Sequence, residues 1–240
     1  MAPRLFFQIE KWGCALDRSA IFMVVRIVAV VVAAIYVGTQ VKKPSRFVGR
    51  LFTWLMNGSH ARLTDWALTH LELSGDATVL DVGCGGGRTI EKLAGIVATV
   101  YGIDYAAGSV AASRAHNRRL IAEGKVFVEE ASVSQLPFAD SFFELVTAVE
   151  TQYYWPDTTN DMREILRVLK PGGRLMVVAE SYRGGRHDWL LGPVMRLLGS
   201  QRLSVDDHRA LFQAAGYTEI EIFEECSKGW LCAIGQRPLR

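Results

Sequence analysis

From residue 77 onward, short β-rich runs alternate with stretches of helical character, and this alternation restricts the chain to few folds. The runs cover 77–82, 98–104, 125–131, 142–150, 173–180, 217–225 and 229–236. Strands that alternate with helices build a mostly parallel sheet covered on both faces, because each helix carries the chain back before the next strand begins. The last two runs are separated only by residues 226–228, so we expect them to form an antiparallel hairpin.

Two of the connecting helices have clear boundary signals. An apolar stripe at helical spacing predicts a helix over 157–169. We expect the Pro-Gly-Gly element at 171–173 to end this helix and to turn the chain into the next strand. A capping-box pattern at Ser204 and Asp207 predicts a second helix, which ends at Gly216.

The loop after the first run, VLDVGCGGGRT at 79–89, is unusually rich in glycine. Its alternating glycines are Gly83, Gly85 and Gly87. Glycine lets the backbone turn tightly and approach a ligand closely, and the N-terminus of the following helix supplies free N–H groups. The dinucleotide fingerprint G-x-G-x-x-G would place a glycine at position 88, where this chain has Arg88. The carboxylate of Asp81, at the end of the run, would repel a phosphate, whereas it suits an ammonium group.

A second acidic residue, Asp104, closes the second run, 21 residues after Gly83. A carboxylate at this place accepts hydrogen bonds from the ribose hydroxyls of an adenosine-containing cofactor. Asp104 therefore does not distinguish NAD from S-adenosylmethionine, but the glycine spacing favours the latter. An NAD(P)-dependent oxidoreductase is the alternative function, and an acid that caps the next helix is the alternative role for Asp104.

Four segments, in this order, resemble the successive motifs of class I S-adenosylmethionine-dependent methyltransferases. They are residues 79–89, 101–114, 132–150 and 166–178. The resemblance extends over about 60–236 and is greatest to the small-molecule group, methyltransferase type 11, which includes the ubiquinone and menaquinone methyltransferases. It implies a Rossmann-like α/β fold with a seven-stranded, mostly parallel sheet, S-adenosylmethionine as cofactor and a small-molecule methyl acceptor.

The resemblance also implies which residues contact the cofactor. The methionine moiety would face Asp81 and the backbone of Gly83, Cys84, Gly85 and Gly87. Asp104 would hold the ribose, and Tyr105 would lie against the adenine. Many family members have an aspartate before the Leu-Pro-Phe element, to receive the adenine amine. This chain has Ser132 there, followed by Val133, and a serine hydroxyl can accept the same hydrogen bond.

The acceptor pocket is expected beyond the carboxyl ends of the strands. Methyl transfer mainly needs proximity and orientation, and a base is needed only where the acceptor must lose a proton. Glu150 is the first candidate, either to place the cofactor or acceptor or to act as base; a carboxylate satisfied by backbone N–H groups is its alternative. His187 is a second candidate base, or else a solvated loop histidine. Tyr154, with Tyr153 and Trp155, can form an aromatic wall for the acceptor or simply pack under the sheet edge.

An apolar run, AIFMVVRIVAVVVAAIYVG at 20–38, is interrupted only by Arg26. As a helix it would be roughly 28 Å long, close to the apolar thickness of a bilayer. We therefore expect residues 1–45 to be a membrane-anchor segment that contacts lipid through 20–41, and 46–240 to be the methyltransferase domain with an N-terminal helical cap. The basic residues after the run favour a cytoplasmic catalytic domain. A buried or partner-binding helix and a signal peptide are the alternatives.

Composition excludes some classes of function. The net charge of +2 does not indicate a nucleic-acid partner. The four cysteines have neither C-x-x-C nor zinc-site spacing, so no metal site is expected. The family resemblance implies that residues 189–203, between the fifth strand and the following helix, cover the acceptor, and this segment is apolar. The sequence thus predicts methylation of a small, lipophilic molecule, lipid or quinone-like, at the cytoplasmic face of a membrane. A non-catalytic, membrane-tethered module that binds the cofactor is the alternative.

Overall fold

A computed structural model of the chain describes residues 61–186, 188–197 and 200–240. These residues form a seven-stranded sheet of order β3-β2-β1-β4-β5-β7-β6. The strands are β1 Thr78–Val82, β2 Thr99–Asp104, β3 Val126–Glu130, β4 Phe143–Val149, β5 Leu169–Ala179, β6 Thr218–Glu225 and β7 Trp230–Gln236. Strands β1 to β5 are parallel, and β7 is antiparallel to both β5 and β6. The predicted sheet and its C-terminal hairpin are confirmed.

Helices cover both faces of this sheet, as predicted. They are α1 Ala61–Leu68, α2 Arg88–Ala94, α3 Ala107–His116, α4 Arg118–Ala122, α5 Thr158–Val168, α6 Asp188–Leu197 and α7 Val205–Ala215. On one face, Ile165 of α5 and Phe212 of α7 are fully buried in a single apolar core. On the other face, Leu63 of α1 and Ile90 of α2 occupy a second core. Sheets of parallel strands need such cover on both sides, because the strands are apolar throughout.

The boundary predicted after α5 is wrong. The helix ends at Val168, and the buried Leu169 already has extended dihedral angles, φ −69° and ψ 144°. The Pro-Gly-Gly element at 171–173 lies within β5 rather than in a turn before it. The register of β5 against β4 shifts here, from Phe143 opposite Leu169 to Leu145 opposite Arg174. Proline and glycine are tolerated in a strand at such an irregularity.

The capping box predicted for the last helix is confirmed. The Ser204 hydroxyl accepts from the amide of Asp207 (3.2 Å), and the Asp207 carboxylate accepts from the amide of Ser204 (2.7 Å). Gly216 ends α7 in the left-handed conformation, with φ 99°.

The predicted anchor at 20–41 and its apolar helix lie outside the described residues. None of the helices that the described residues form has the length and hydrophobicity needed to cross a bilayer.

Candidate active site

The chain order in the sheet reverses between β1 and β4, and a cavity of about 400 Å³ lies at the carboxyl ends of these strands and of β2. Open α/β sheets bind ligands at this switch point. Most residues predicted for the site line this one cavity. They are Asp81, Gly83, Cys84, Gly85, Asp104, Tyr105, Ser132, Val133, Glu150 and Tyr154. His187 lies outside the described residues.

The glycine turn is tied to the end of β2. The amides of Gly83 and Cys84 both donate to the carbonyl of Ile103, at 2.8 and 2.9 Å. Gly83 has φ 70°, and a Cβ there would lie 2.1 Å from Oγ1 of Thr151. Gly85 has φ 51°, and a Cβ there would have no heavy atom within 4 Å. Gly83 therefore permits a close backbone approach, whereas Gly85 faces open space in the cavity.

Gly87 packs closely against the end of α3. It precedes α2 with φ 81°, and a Cβ there would lie 2.4 Å from Nδ2 of Asn117 and from Oγ of Ser113. Gly87 is not among the residues that line the cavity, although it was predicted to face the cofactor. Close packing of the turn against α3 therefore requires glycine at this position.

Asp81 is a buried carboxylate, only 2% exposed, near the end of β1. The hydroxyl of Thr147 donates to its Oδ1 at 2.7 Å. Burial raises the pKa of Asp81 to about 7, the hydrogen bond from Thr147 lowers it, and the charge of Asp104 raises it. A cation in the cavity would stabilise the ionised form, so this site suits an ammonium group.

Asp104 ends β2 and is 7% exposed. Its Oδ2 accepts from the amide of Gly85 at 3.0 Å, and its Oδ1 accepts from the amide of Ala106 at 2.8 Å. Burial raises the pKa of Asp104, and the two backbone hydrogen bonds oppose this rise. The same two bonds orient the carboxylate, which leaves its remaining acceptor capacity for ligand hydroxyls.

Glu150 follows β4 in the left-handed region, with φ 58°. Its Oε1 accepts from the amide of Glu180, and the hydroxyl of Tyr153 lies 3.1 Å from the same oxygen. The Tyr153 hydroxyl is also 3.0 Å from the carbonyl of Ser181. Glu150 thus joins the end of β4 to the segment after β5, which agrees with the alternative of a carboxylate bound by backbone.

Aromatic side chains also line the cavity. Tyr154 is half-buried. Burial is the largest cause of its raised pKa, followed by the charges of Glu150 and Tyr105. Tyr105 is partly exposed, whereas Trp155 and Tyr153 are buried in the apolar core as well as lining the cavity. Tyr153 and Trp155 therefore take part in ordinary packing and also line the cavity, whereas a role of these rings as a wall for the acceptor stays a prediction.

The loop before the Leu-Pro-Phe element borders the cavity on the β2 side. Ser132 is exposed, and its hydroxyl oxygen accepts from the amide of Ser134 at 3.2 Å. Val133 is buried in the core below it.

Helix α1 belongs to the predicted N-terminal helical cap, and it contributes to the cavity. Ala61 and Thr64 of this helix line it, as does Lys92 of α2. The ammonium of Lys92 donates to the carbonyl of Ala61 at 2.7 Å and pairs with Asp65. No local pattern joins positions so far apart in the chain, so only the fold reveals this contact.

The site fits S-adenosylmethionine better than a dinucleotide. Asp81 suits the ammonium of the methionine moiety, Asp104 suits the ribose hydroxyls, and the space over Gly85 lets backbone approach the ligand. A pyrophosphate at the same turn would face the carboxylate of Asp81 across a medium of low dielectric.

The sheet order, the glycine turn and the acid that ends β2 together define a class I S-adenosylmethionine-dependent methyltransferase domain. The family described as "Methyltransferase domain" matches residues 80–177. These residues belong to that family, whose class uses S-adenosylmethionine as cofactor, and the prediction of this domain type is confirmed.

Relatives of this chain are named as methyltransferases, and a solved methyltransferase structure shares its fold. The chain is 33% identical over 166 residues to the methyltransferase GfsG of Streptomyces halstedii, covering 67% of this chain and 60% of that protein. It is 39% identical over 114 residues to a ubiquinone biosynthesis O-methyltransferase of Xanthomonas oryzae, covering 47% of this chain and 46% of that protein. It thus spans about half the length of these relatives. The geranyl diphosphate C-methyltransferase of Streptomyces coelicolor, solved with S-adenosyl-L-homocysteine, shares the fold (TM-score 0.65, 16% identity, 74% and 77% covered).

Proposed function

We propose that this protein transfers a methyl group from S-adenosylmethionine to a small lipophilic acceptor, lipid or quinone-like. The observation that carries the proposal is one cavity that is lined by two buried carboxylates, an open glycine turn and several aromatic rings. S-adenosylmethionine, when bound, supplies a methyl group already activated on a sulfonium. The protein then has to bind the cofactor and the acceptor, orient them towards each other and exclude water.

On the cofactor side, each group has a separate task. Asp81 pairs with the ammonium, because a buried carboxylate gains most from a nearby positive charge. Asp104, held by the amides of Gly85 and Ala106, accepts from the ribose hydroxyls. Tyr105 and Val133 provide apolar surface for the adenine.

On the acceptor side, Tyr154 and Trp155 offer flat apolar surface for a lipophilic molecule. Glu150 positions this segment through the amide of Glu180 and the hydroxyl of Tyr153. His187 stays a candidate base on the sequence alone, for an acceptor that must lose a proton. The relative named for ubiquinone biosynthesis supports a quinone-like acceptor.

We also propose that the protein works at a membrane, with residues 20–41 in contact with lipid and the catalytic domain on the cytoplasmic side. The apolar run at 20–38 supports this placement, as does Trp189 of α6, whose side chain is 79% exposed. Tryptophan is favoured at the interface between lipid and water.

Membrane contact is tested by floating the full chain with phospholipid vesicles. Val32→Asp, in the middle of the apolar run, should abolish flotation, whereas Ser45→Asp, beyond the run, should leave it unchanged. Equal flotation of both variants would contradict the proposed role of 20–41.

The activity is tested with methyl-labelled S-adenosylmethionine and a whole-cell extract, followed by separation of products between organic solvent and water. Label in the organic phase that requires the protein supports the proposal. Label only in water would replace the lipophilic acceptor with a polar one. Binding of S-adenosylhomocysteine without any transfer would favour the non-catalytic module, and binding of NAD(H) instead would favour the oxidoreductase.

A further inference from the structure

Asp161 of α5 is a buried carboxylate, 1% exposed, that bonds to two separate segments of the chain. Its Oδ1 accepts from the hydroxyl of Ser134 at 2.7 Å. Its Oδ2 accepts from the amide of Asp157 at 3.1 Å. One side chain thus receives a donor from the loop after β3 and another from the segment after β4.

Both of these segments border the candidate active site. The amide of Ser134 donates to the hydroxyl of Ser132, which lines the cavity on the cofactor side. Asp157 directly follows Trp155 and Pro156, which line the cavity on the acceptor side. The carboxylate of Asp161 therefore links these two segments through hydrogen bonds.

Capping of α5 explains the bond between Asp161 and Asp157, which is the N-cap residue of this helix, but it does not explain the bond from Ser134. The helix is already capped by the side chain of Asp157, which accepts from the amide of Asn160 at 3.2 Å. The hydrogen bond from Ser134 adds nothing to that cap. It connects the helix to the loop that borders the cofactor side.

Glu164, one turn further along α5, provides a contrast. Its Oε1 accepts from the amide of Leu136 at 2.8 Å, and it pairs with Arg167. Arg167 in turn donates to the carbonyl of Phe138 at 2.9 Å. Glu164 therefore holds only the later part of the loop, which is outside the cavity lining.

We propose that Asp161 is a positioning residue that couples the cofactor wall at 131–134 to the acceptor wall at 153–156. The coupling fixes the position of the two walls relative to each other, so that the methyl donor and the acceptor are held in one relative orientation. The meaning of the coupling for catalysis rests on the proposed function, but the coupling itself does not.

Three substitutions separate coupling from simple stability. Asp161→Ala leaves the donors of Ser134 and Asp157 without their acceptor. Asp161→Asn keeps both contacts, because its amide oxygen can accept from Asp157 while its N–H donates to the Ser134 hydroxyl, which can also accept. Glu164→Ala removes a carboxylate from the same helix face and is the matched control.

The test is hydrogen–deuterium exchange of the full chain, together with calorimetric titration of S-adenosylhomocysteine. Asp161→Ala should speed exchange in both 131–136 and 152–158 and weaken ligand binding roughly tenfold, because binding must then order both segments. Glu164→Ala should speed exchange only over 134–140, and Asp161→Asn should resemble the unsubstituted chain.

Faster exchange in only one wall, uniform faster exchange throughout, or failure of Asp161→Asn to restore the pattern would overturn the coupling. If the unsubstituted chain binds no S-adenosylhomocysteine, the proposed function fails, and the exchange data still decide whether the two walls are coupled.

Discussion

The carboxylates of Asp81 and Asp104 lie at the ends of two neighbouring parallel strands and line the same cavity. Burial raises the pKa of Asp81 to about 7, and the charge of Asp104 adds to this rise. Ionisation of the buried Asp81 carboxylate therefore carries a free-energy penalty, most of which comes from desolvation. A ligand with an ammonium group relieves it, and the following predictions depend on this property.

The first prediction concerns the pH dependence of stability. Folding raises the pKa of Asp81 from 3.8 to about 7, so the folded chain binds more protons than the unfolded chain between these values. Stability from this group is therefore present at low pH and is lost as the pH rises to about 7, by at most on the order of 4 kcal/mol. Asp81→Asn should unfold at a higher temperature than the unsubstituted chain at pH 8, and the difference should shrink towards pH 5. Thermal unfolding across this range checks it, and a less stable variant at pH 8 would contradict it.

Ligand binding should show the opposite pH dependence. The ammonium of S-adenosylhomocysteine favours ionised Asp81, so its affinity should increase as the pH rises from 6 to 8, with release of a proton. Titration calorimetry in buffers of different ionisation enthalpy measures both quantities. In Asp81→Asn the affinity should be lower and no longer change across this interval. A constant affinity in the unsubstituted chain would refute the assignment of Asp81 to the ammonium.

Asp104→Asn should weaken binding of S-adenosylhomocysteine between about tenfold and a hundredfold, because a hydrogen bond to a charged group contributes about 1.5–3 kcal/mol. Glu130→Gln is the matched control. Glu130 ends the adjacent strand, in register with Asp104, but is exposed and outside the cavity lining. Calorimetry compares the two variants, and similar losses in both would remove Asp104 from the binding site.

Gly85→Ala and Gly124→Ala should separate ligand contact from backbone strain. Both glycines have positive φ, 51° and 72°, and a Cβ at either would have no heavy atom within 4 Å. Each substitution should therefore cost a similar, small stability of about 1 kcal/mol. Only the methyl group at Gly85 would project into the cavity, so only Gly85→Ala should weaken S-adenosylhomocysteine binding. Equal affinities in the two variants would show that the backbone at Gly85 does not approach the ligand.

The parts of the site that the sequence predicted correctly are encoded locally. A strand, a glycine turn and a helix start follow each other within residues 79–89, so the position of Asp81 beside the turn needs no knowledge of distant contacts. Asp104 ends the next strand, and parallel strands bring their carboxyl ends to one edge of the sheet. These two facts together predicted the cavity.

The parts that could not be predicted depend on distant contacts. Asp161 meets Ser134 from a position 27 residues further along the chain, and helical periodicity alone suggests no polar partner for it. Gly87 belongs to the predicted loop but is required by Asn117 and Ser113 of the region beyond β2. Glu150 has the left-handed conformation that its sequence neighbours do not indicate, and its side chain accepts a hydrogen bond from the amide of Glu180.

The central claim is methyl transfer to a lipophilic acceptor, and one measurement tests it most directly. The full chain, Asp104→Asn and Glu130→Gln are each incubated with trideuteromethyl S-adenosylmethionine and a cellular lipid extract, and apolar products are analysed by mass spectrometry. If the proposed function is right, the unsubstituted chain and Glu130→Gln yield a lipophilic product that carries one trideuteromethyl group. Asp104→Asn should yield far less of this product. A product found only in the aqueous phase, or equal labelling by all three proteins, would contradict the proposed function.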